Sequence, residues 1–346
     1  MNFPQRLTLI IFAFFLLLTT ACTSENSHTP TTPSTLPNPT STASPTVTPT
    51  PVQPTIILLA PEDPYLFSTD NLLSTLESIV SPRGWMLERH HSLGSGVLGP
   101  HVELVVVISP YPELENLARS FPDVQFVAIN FSDLDEMSNL SVIGPQGEPV
   151  DQLAFLAGYI AALVTDDWRV GVISEASQTI NNIVQMGFSN GVIFYCGLCR
   201  PIRPPYLSYP IYFLLPEGAT ESEWLSAADW MLSNGVRTVF IFSPDINLAA
   251  LSMLKDSGIS IIGVIDPPED GSDTWLLTIR TSPETILEDQ WDQLLAGTGG
   301  LSVPMLFVLD HVNEEILTPG KQLFLVDVMH DLVHGFIDTG VIPIAP

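Results

Sequence analysis

Between Thr55 and Ile265 the chain alternates short runs of apolar residues with longer stretches in which apolar side chains return every three or four positions. The first pattern describes a strand buried on both faces and the second an amphipathic helix. Strands are predicted over 55–60, 103–109 and 125–130, with helices over 72–80 and 113–119. Residues 150–164 give the clearest helix, because Leu153, Leu156, Ala157, Ile160, Ala161 and Val164 share one face. Alternation then resumes, with strands at 169–174, 210–215, 238–242 and 260–265 and helices at 179–193, 221–234 and 246–257. Asn234-Gly235 and Gly258 end two of these helices, as residues tolerant of left-handed backbone do. Further strands are expected at 274–279 and 322–325, followed by helices at 283–296 and 326–339.

Strands alternating with helices build parallel sheets covered on both faces. Two runs of similar size predict an α/β chain of two doubly wound, parallel-sheet lobes. One lobe is expected over 55–165 with about 267–300, the other over 166–266 with about 301–346. Such a chain passes between lobes more than once, which makes a multi-strand hinge.

The first 54 residues break this pattern entirely. Arg6 precedes an apolar run, Leu7 to Leu18, interrupted only by Thr8, and Leu18-Thr19-Thr20-Ala21-Cys22 follows. The run is too short for a mature membrane span and reads as an export signal over 1–21. The stretch resembles a bacterial lipobox with Thr19 in place of the commonest leucine, which implies that Cys22 becomes the lipidated first residue. An ordinary secretory signal cut near Cys22 is the alternative. Residues 23–54 hold ten Thr, eight Pro and five Ser, a composition that cannot form a core. Together with Cys22 they read as a tether over 22–54, spanning up to roughly 100 Å if extended as polyproline II. An extracytoplasmic body held at the membrane is the expected location.

Charge narrows the partners. The chain carries 11 Lys and Arg against 38 Asp and Glu, a net charge of −27. Such acidity argues against nucleic acid and anionic lipid surfaces as ligands, and it also keeps an exported protein soluble. Besides Cys22 the cysteines are Cys196 and Cys199, spaced Cys-Gly-Leu-Cys and followed by Arg200-Pro201-Ile202-Arg203-Pro204-Pro205. Outside the cytoplasm the pair reads first as a structural disulfide. Redox catalysis, which needs the pair at a helix start, and free or metal-binding thiols are the alternatives.

The middle of the chain carries more specific motifs. Phe155-Leu156-Ala157-Gly158-Tyr159-Ile160-Ala161-Ala162, then Arg169-Val170-Gly171-Val172-Ile173, then Gly187-Phe188-Ser189-Asn190-Gly191 stand in sequence order. With Phe121-Pro122-Asp123-Val124-Gln125-Phe126 and Lys255-Asp256-Ser257-Gly258 to Val264, this block resembles the basic membrane protein family of substrate-binding lipoproteins, relatives of the purine nucleoside receptors of ABC importers. The resemblance covers most of Val102 to Ile265. It implies the type I periplasmic-binding-protein fold, a nucleoside or similar polar small-molecule solute bound between the lobes, an ABC permease and ATPase as partners, and no cofactor. On physical grounds Gly158, Gly187 and Gly191 are scaffold positions that let helices approach closely.

The resemblance places ligand contacts at the C-terminal ends of strands, where open α/β sheets bind ligands. The family's D-x-S-F-N loop is replaced by Pro61-Glu62-Asp63-Pro64-Tyr65-Leu66-Phe67-Ser68, which makes Asp63 and Phe67 the candidate acid and stacking aromatic, with Tyr65 a rival. An acidic loop over a core phenylalanine explains the same residues. Asn130 stands where the family has aspartate. The glycine-rich loop is replaced by Phe242-Ser243-Pro244-Asp245-Ile246-Asn247, leaving Asp245 as either a contact or a helix N-cap. Asp266 is the one acid left to meet a ribose, and Arg280 lies near the family's lysine position, where it could equally form a hinge ion pair.

Enzyme chemistry finds no support in motifs: the Gly-x-Ser-x-Gly elbow, the Walker loop and the Gly-x-Gly-x-x-Gly fingerprint are all missing. His330 and His334 lie four apart beside Asp327 and Asp331, a spacing that suits a metal but more simply reads as a solvated helix face; no metal is expected. The expected function is a lipid-anchored, non-enzymatic solute receptor. A sensory or scaffold lipoprotein of the same fold is the alternative, and an extracytoplasmic hydrolase comes third.

Overall fold

The computed structural model describes residues 53–60, 68–94, 96–200, 204, 206–269 and 274–342. The leader, the tether with Cys22, and the loop carrying Asp63 and Phe67 lie outside the described residues. Among the described residues, no helix is long and apolar enough to cross a membrane.

Two six-stranded sheets organise the body. In the first, β11 (Ser302–Val303), β5 (Leu140–Ile143), β4 (Gln125–Ile129), β3 (Val102–Ile108), β1 (Thr55–Leu59) and β2 (Met86–His90) lie side by side, all parallel. The second runs β12 (Phe307–Asp310), β10 (Trp275–Thr281), β9 (Ser260–Gly263), β8 (Thr238–Phe242), β6 (Val170–Glu175), β7 (Ile211–Leu215), with only β12 antiparallel.

Continuous apolar strands need cover on both faces, and the helices provide it. On β1, Ile56 and Leu58 face a core that includes α1 (Thr69–Val80) and α7 (Pro283–Leu295), while Ile57 and Leu59 face the core under α2 (Leu114–Ser120). The second sheet is covered on one face by α3 (Val150–Val164), α4 (Gln178–Cys196) and α8 (Pro319–Val333). Its other face is covered by α5 (Glu221–Ser233) and α6 (Leu248–Asp256).

The expected lobe boundaries shift in two respects. Helix α3, which sequence spacing assigned to the first lobe, packs with the core of the second sheet. The first crossing between lobes therefore lies between β5 and α3. The chain returns between β10 and α7, whose Ile286, Leu287 and Trp291 join the first lobe's core. It crosses a third time between β11 and β12. Residues 275–281 thus belong to the second sheet although 267–300 was expected in the first lobe.

Helices α3 and α4 touch backbone to backbone. A β-carbon on Gly158 would lie 2.1 Å from the Phe188 carbonyl oxygen, and one on Gly191 would lie 1.9 Å from that of Phe155. No side chain larger than hydrogen fits either position. The seam continues at Gly187, where a β-carbon would meet the Asp151 carbonyl at 2.7 Å.

Residues 322–325, expected as a strand, lie inside α8 instead. Thr318 precedes the helix and Pro319 occupies its first turn, a start signal that overrides the short apolar run Leu323-Phe324-Leu325.

Candidate functional site

A cavity of about 470 Å³ opens at the C-terminal ends of β6, β8 and β9. Glu175 and Ala176 contribute from the end of β6, Phe242 and Ser243 from the end of β8, and Val264 from just past β9. Ile180 lies in the first turn of α4, Glu217 and Gly218 in the loop after β7, Glu148 on the crossing segment and Val150 at the start of α3. Parallel strands of one sheet end at the same edge, so residues distant in sequence converge there.

Glu175 organises the cavity. It is only 9% exposed. One carboxylate oxygen accepts from the Ala219 backbone N–H at 2.8 Å, and the other accepts from the Ser243 hydroxyl at 2.7 Å. Ser243, itself buried, also accepts from the Asp245 N–H at 3.2 Å. These bonds hold the carboxylate in place before any ligand arrives. Each carboxylate oxygen has two lone pairs, and each of these bonds occupies one. The remaining acceptor capacity suits hydroxyl or amide donors, while Ile180, Val150 and Val264 offer apolar wall to a flat ring. None of the described residues lining the cavity is Lys or Arg, whereas Glu148, Glu175 and Glu217 are acids.

None of the sequence candidates among the described residues lines this cavity. Asn130 follows β4 in the first lobe with φ of 60°, a left-handed conformation that asparagine tolerates. Its Oδ1 is buried without a hydrogen-bond partner, against the hinge residue Gly144. Asp245 is exposed, and the N-cap of α6 is Asn247, whose side chain accepts from the Ala250 N–H at 3.0 Å. Asp266 has a 70% exposed side chain and lies 3.6 Å from the His311 ring. Arg280 on β10 bonds Asp310 on the antiparallel neighbour β12 and lies 3.9 Å from Glu284 at the start of α7. Arg280 thus spans the point where the chain passes from the second sheet to the first lobe, the hinge ion pair of the two readings the sequence left open. Burial raises the Glu284 carboxyl above its ordinary value, with hydrogen bonds and Arg280 opposing the shift.

Glu175 and Ser243 escaped the sequence reading, although the loop from Phe242 to Asn247 was singled out. Ser243 sits one residue past a strand and 68 residues from Glu175. A polar residue directly following an all-apolar strand was the available signal.

Cys196 and Cys199 face one another at the end of α4, their Cα atoms 5.3 Å apart, within the span of a disulfide. Both lie at the C-terminus of the helix, not at its start. Among the described residues no group of three or more His, Cys, Asp or Glu side chains is placed to hold a metal.

This arrangement, two doubly wound lobes joined by three crossings with a cavity at strand ends, is the type I periplasmic-binding-protein fold. Solved structures support the assignment of fold. An ABC transporter solute-binding protein from Conexibacter woesei matches at 16% identity with a TM-score of 0.60, over 83% of this chain and 98% of the other. One from Aeropyrum pernix matches at 14% identity with a TM-score of 0.53, over 83% and 93%. A transcriptional activator of the comK gene from Bacillus halodurans matches at 14% identity with a TM-score of 0.55, over 82% and 98%. No family model matches the chain, and no curated protein sequence matches it.

Proposed function

We propose that this protein is an extracytoplasmic solute receptor, anchored through lipidated Cys22, that hands a nucleoside or similar polar small molecule to an ABC permease and its ATPase. The observation that carries this reading is the buried carboxylate of Glu175, fixed by the Ala219 N–H and the Ser243 hydroxyl at the floor of the strand-end cavity. A fixed acceptor beside apolar walls matches a ribose attached to a base: hydroxyls donate to the carboxylate and the ring lies on Ile180 and Val264. In this proposal Asp63, Phe67 and Asn130 meet the ligand from the first lobe, with Asp245 and Asp266 at the rim and Arg280 holding the hinge. Binding draws the lobes together, and the permease reads the closed form. The two ABC transporter solute-binding proteins that share the fold support this role.

The acids in the cavity sharpen the choice of ligand. A phosphate would be repelled by three glutamates, with no Lys or Arg among the described lining residues to offset them. Thermal-shift titration of the protein against nucleosides, their 5′-monophosphates, sugars and short peptides tests the proposal. A nucleoside at 100 to 1,000 times its dissociation constant should stabilise the fold by about 3 to 4 kcal/mol, and the matching monophosphate should not. A response to sugars or peptides alone overturns the nucleoside assignment. No response to any solute favours the sensory or scaffold reading, which the lost glycine-rich loop also suits.

A further inference from the structure

Helix α8 presents two unlike faces. Successive residues turn by about 100°, so Leu325, Val328 and Leu332 point into the core and are buried. Leu323, Val326, Asp327, His330 and His334 fall on the opposite side, with Leu323 71% and Val326 58% exposed. This outer face ends in an ordered pair of imidazoles. The rings of His330 and His334 stack with centroids 4.2 Å apart, and Phe336 lies 6.2 Å from each.

Hydrogen bonds fix which nitrogen of each ring is free. His334 Nδ1 lies 2.8 Å from the His330 carbonyl oxygen, which can only accept, so Nδ1 carries the proton. His330 Nδ1 lies 3.2 Å from Asp331 Oδ1, and an ionised carboxylate likewise only accepts. In the neutral rings both lone pairs therefore sit on Nε2. Histidines that ligate metals commonly donate their other N–H to a carbonyl or carboxylate in this way, which sets the tautomer and raises the basicity of the ligating nitrogen.

The pair is half of a tetrahedral site. Imidazole nitrogen suits divalent zinc, and a closed zinc site takes four ligands. No third ligand from the described residues converges on it. A second copy related by a two-fold axis would supply two more imidazoles and at the same time cover the exposed Leu323 and Val326 beside them. We propose that α8 is a self-association face closed by one Zn²⁺ held between His330 and His334 of two copies. The ion also decides when association occurs, because two chains of net charge −27 repel one another without it.

The test uses the purified full chain, with ZnCl2 as the probe. Calorimetric titration should give one Zn²⁺ per two chains, and sedimentation velocity should show the mass double on adding Zn²⁺ and return on adding EDTA. His330→Ala and His334→Ala should each abolish both effects while leaving the melting temperature in EDTA unchanged. Asp331→Asn, which loses the acceptor that orients His330, should weaken zinc binding about tenfold or more. Leu323→Ser should reduce dimer formation at a given zinc level, and His101→Ala should change nothing. One Zn²⁺ per chain with no change in mass overturns the proposal, as does zinc-driven association that survives loss of both histidines.

Discussion

The α3–α4 seam and the strand-end cavity lie on the same lobe, yet they are built by opposite rules. At the seam, Gly158, Gly187 and Gly191 remove every side-chain atom so that two backbones touch. At the cavity, Glu175, Ser243 and Ala219 keep space open around a polar group that is already satisfied. Steric exclusion leaves one solution at the seam, so substitutions there act on folding. Polar pre-organisation leaves many solutions at the cavity, so substitutions there should act on the ligand.

Adding a methyl at the seam is the severest way to test that contrast. Gly191→Ala should cost about 3 kcal/mol or more, because its β-carbon would meet the Phe155 carbonyl at 1.9 Å and the gain in helix propensity is only about 1 kcal/mol. Denaturant midpoints measure it, and a stable Gly191→Ala variant would show that the helices separate easily. Arg280→Ala should cost about 2 kcal/mol by leaving Glu284 and Asp310 without their cation at the hinge. Glu175→Ala should cost only about 1 to 2 kcal/mol, from the Ala219 N–H left unsatisfied while the Ser243 hydroxyl keeps the Asp245 carbonyl as acceptor, yet abolish the thermal shift given by ligand. Retained ligand response in that variant would remove Glu175 from the site.

The smallest effect is a pH slope. Burial raises the folded-state carboxyl of Glu284, so the protonated form is favoured by folding. Its contribution is present in full below the ordinary value of 4.5 and is lost as pH rises through the higher folded-state value. Glu284→Gln should therefore flatten the fall in stability as pH rises from 4.5 toward neutrality, read from melting curves at stepped pH. An unchanged slope would assign it to another group.

The same contrast explains what was legible in the sequence. Residues 150–164 and 238–242 become α3 and β8 with the expected ends, because burial on one helix face or on both strand faces writes a clear period. Glycine spacing likewise marked the seam. Strand β2 was missed because Met86-Leu87-Glu88-Arg89-His90 sits at a sheet edge and keeps polar residues that a central strand would exclude. Strands β5, β11 and β12 run only four, two and four residues, too short for a period to show. At the cavity, the sequence singled out Asp245 from the loop 242–247, whereas the side chain of that loop that bonds Glu175 is Ser243. Asp245 carried the charge, while Ser243 carried the contact, and only the fold brings Ser243 to Glu175.

Three strips of chain join the lobes, between β5 and α3, between β10 and α7, and between β11 and β12. In mechanical terms they form a flexure. One strip alone would let a lobe swing, twist and slide, but three held side by side bend together about one axis and brace one another against torsion. Arg280 stiffens the middle strip at its root. If the protein is the receptor proposed above, closure follows nearly the same arc whatever solute it takes, and one closed outline serves every ligand the pocket can hold. That outline is the message a downstream protein could read without ever touching the solute.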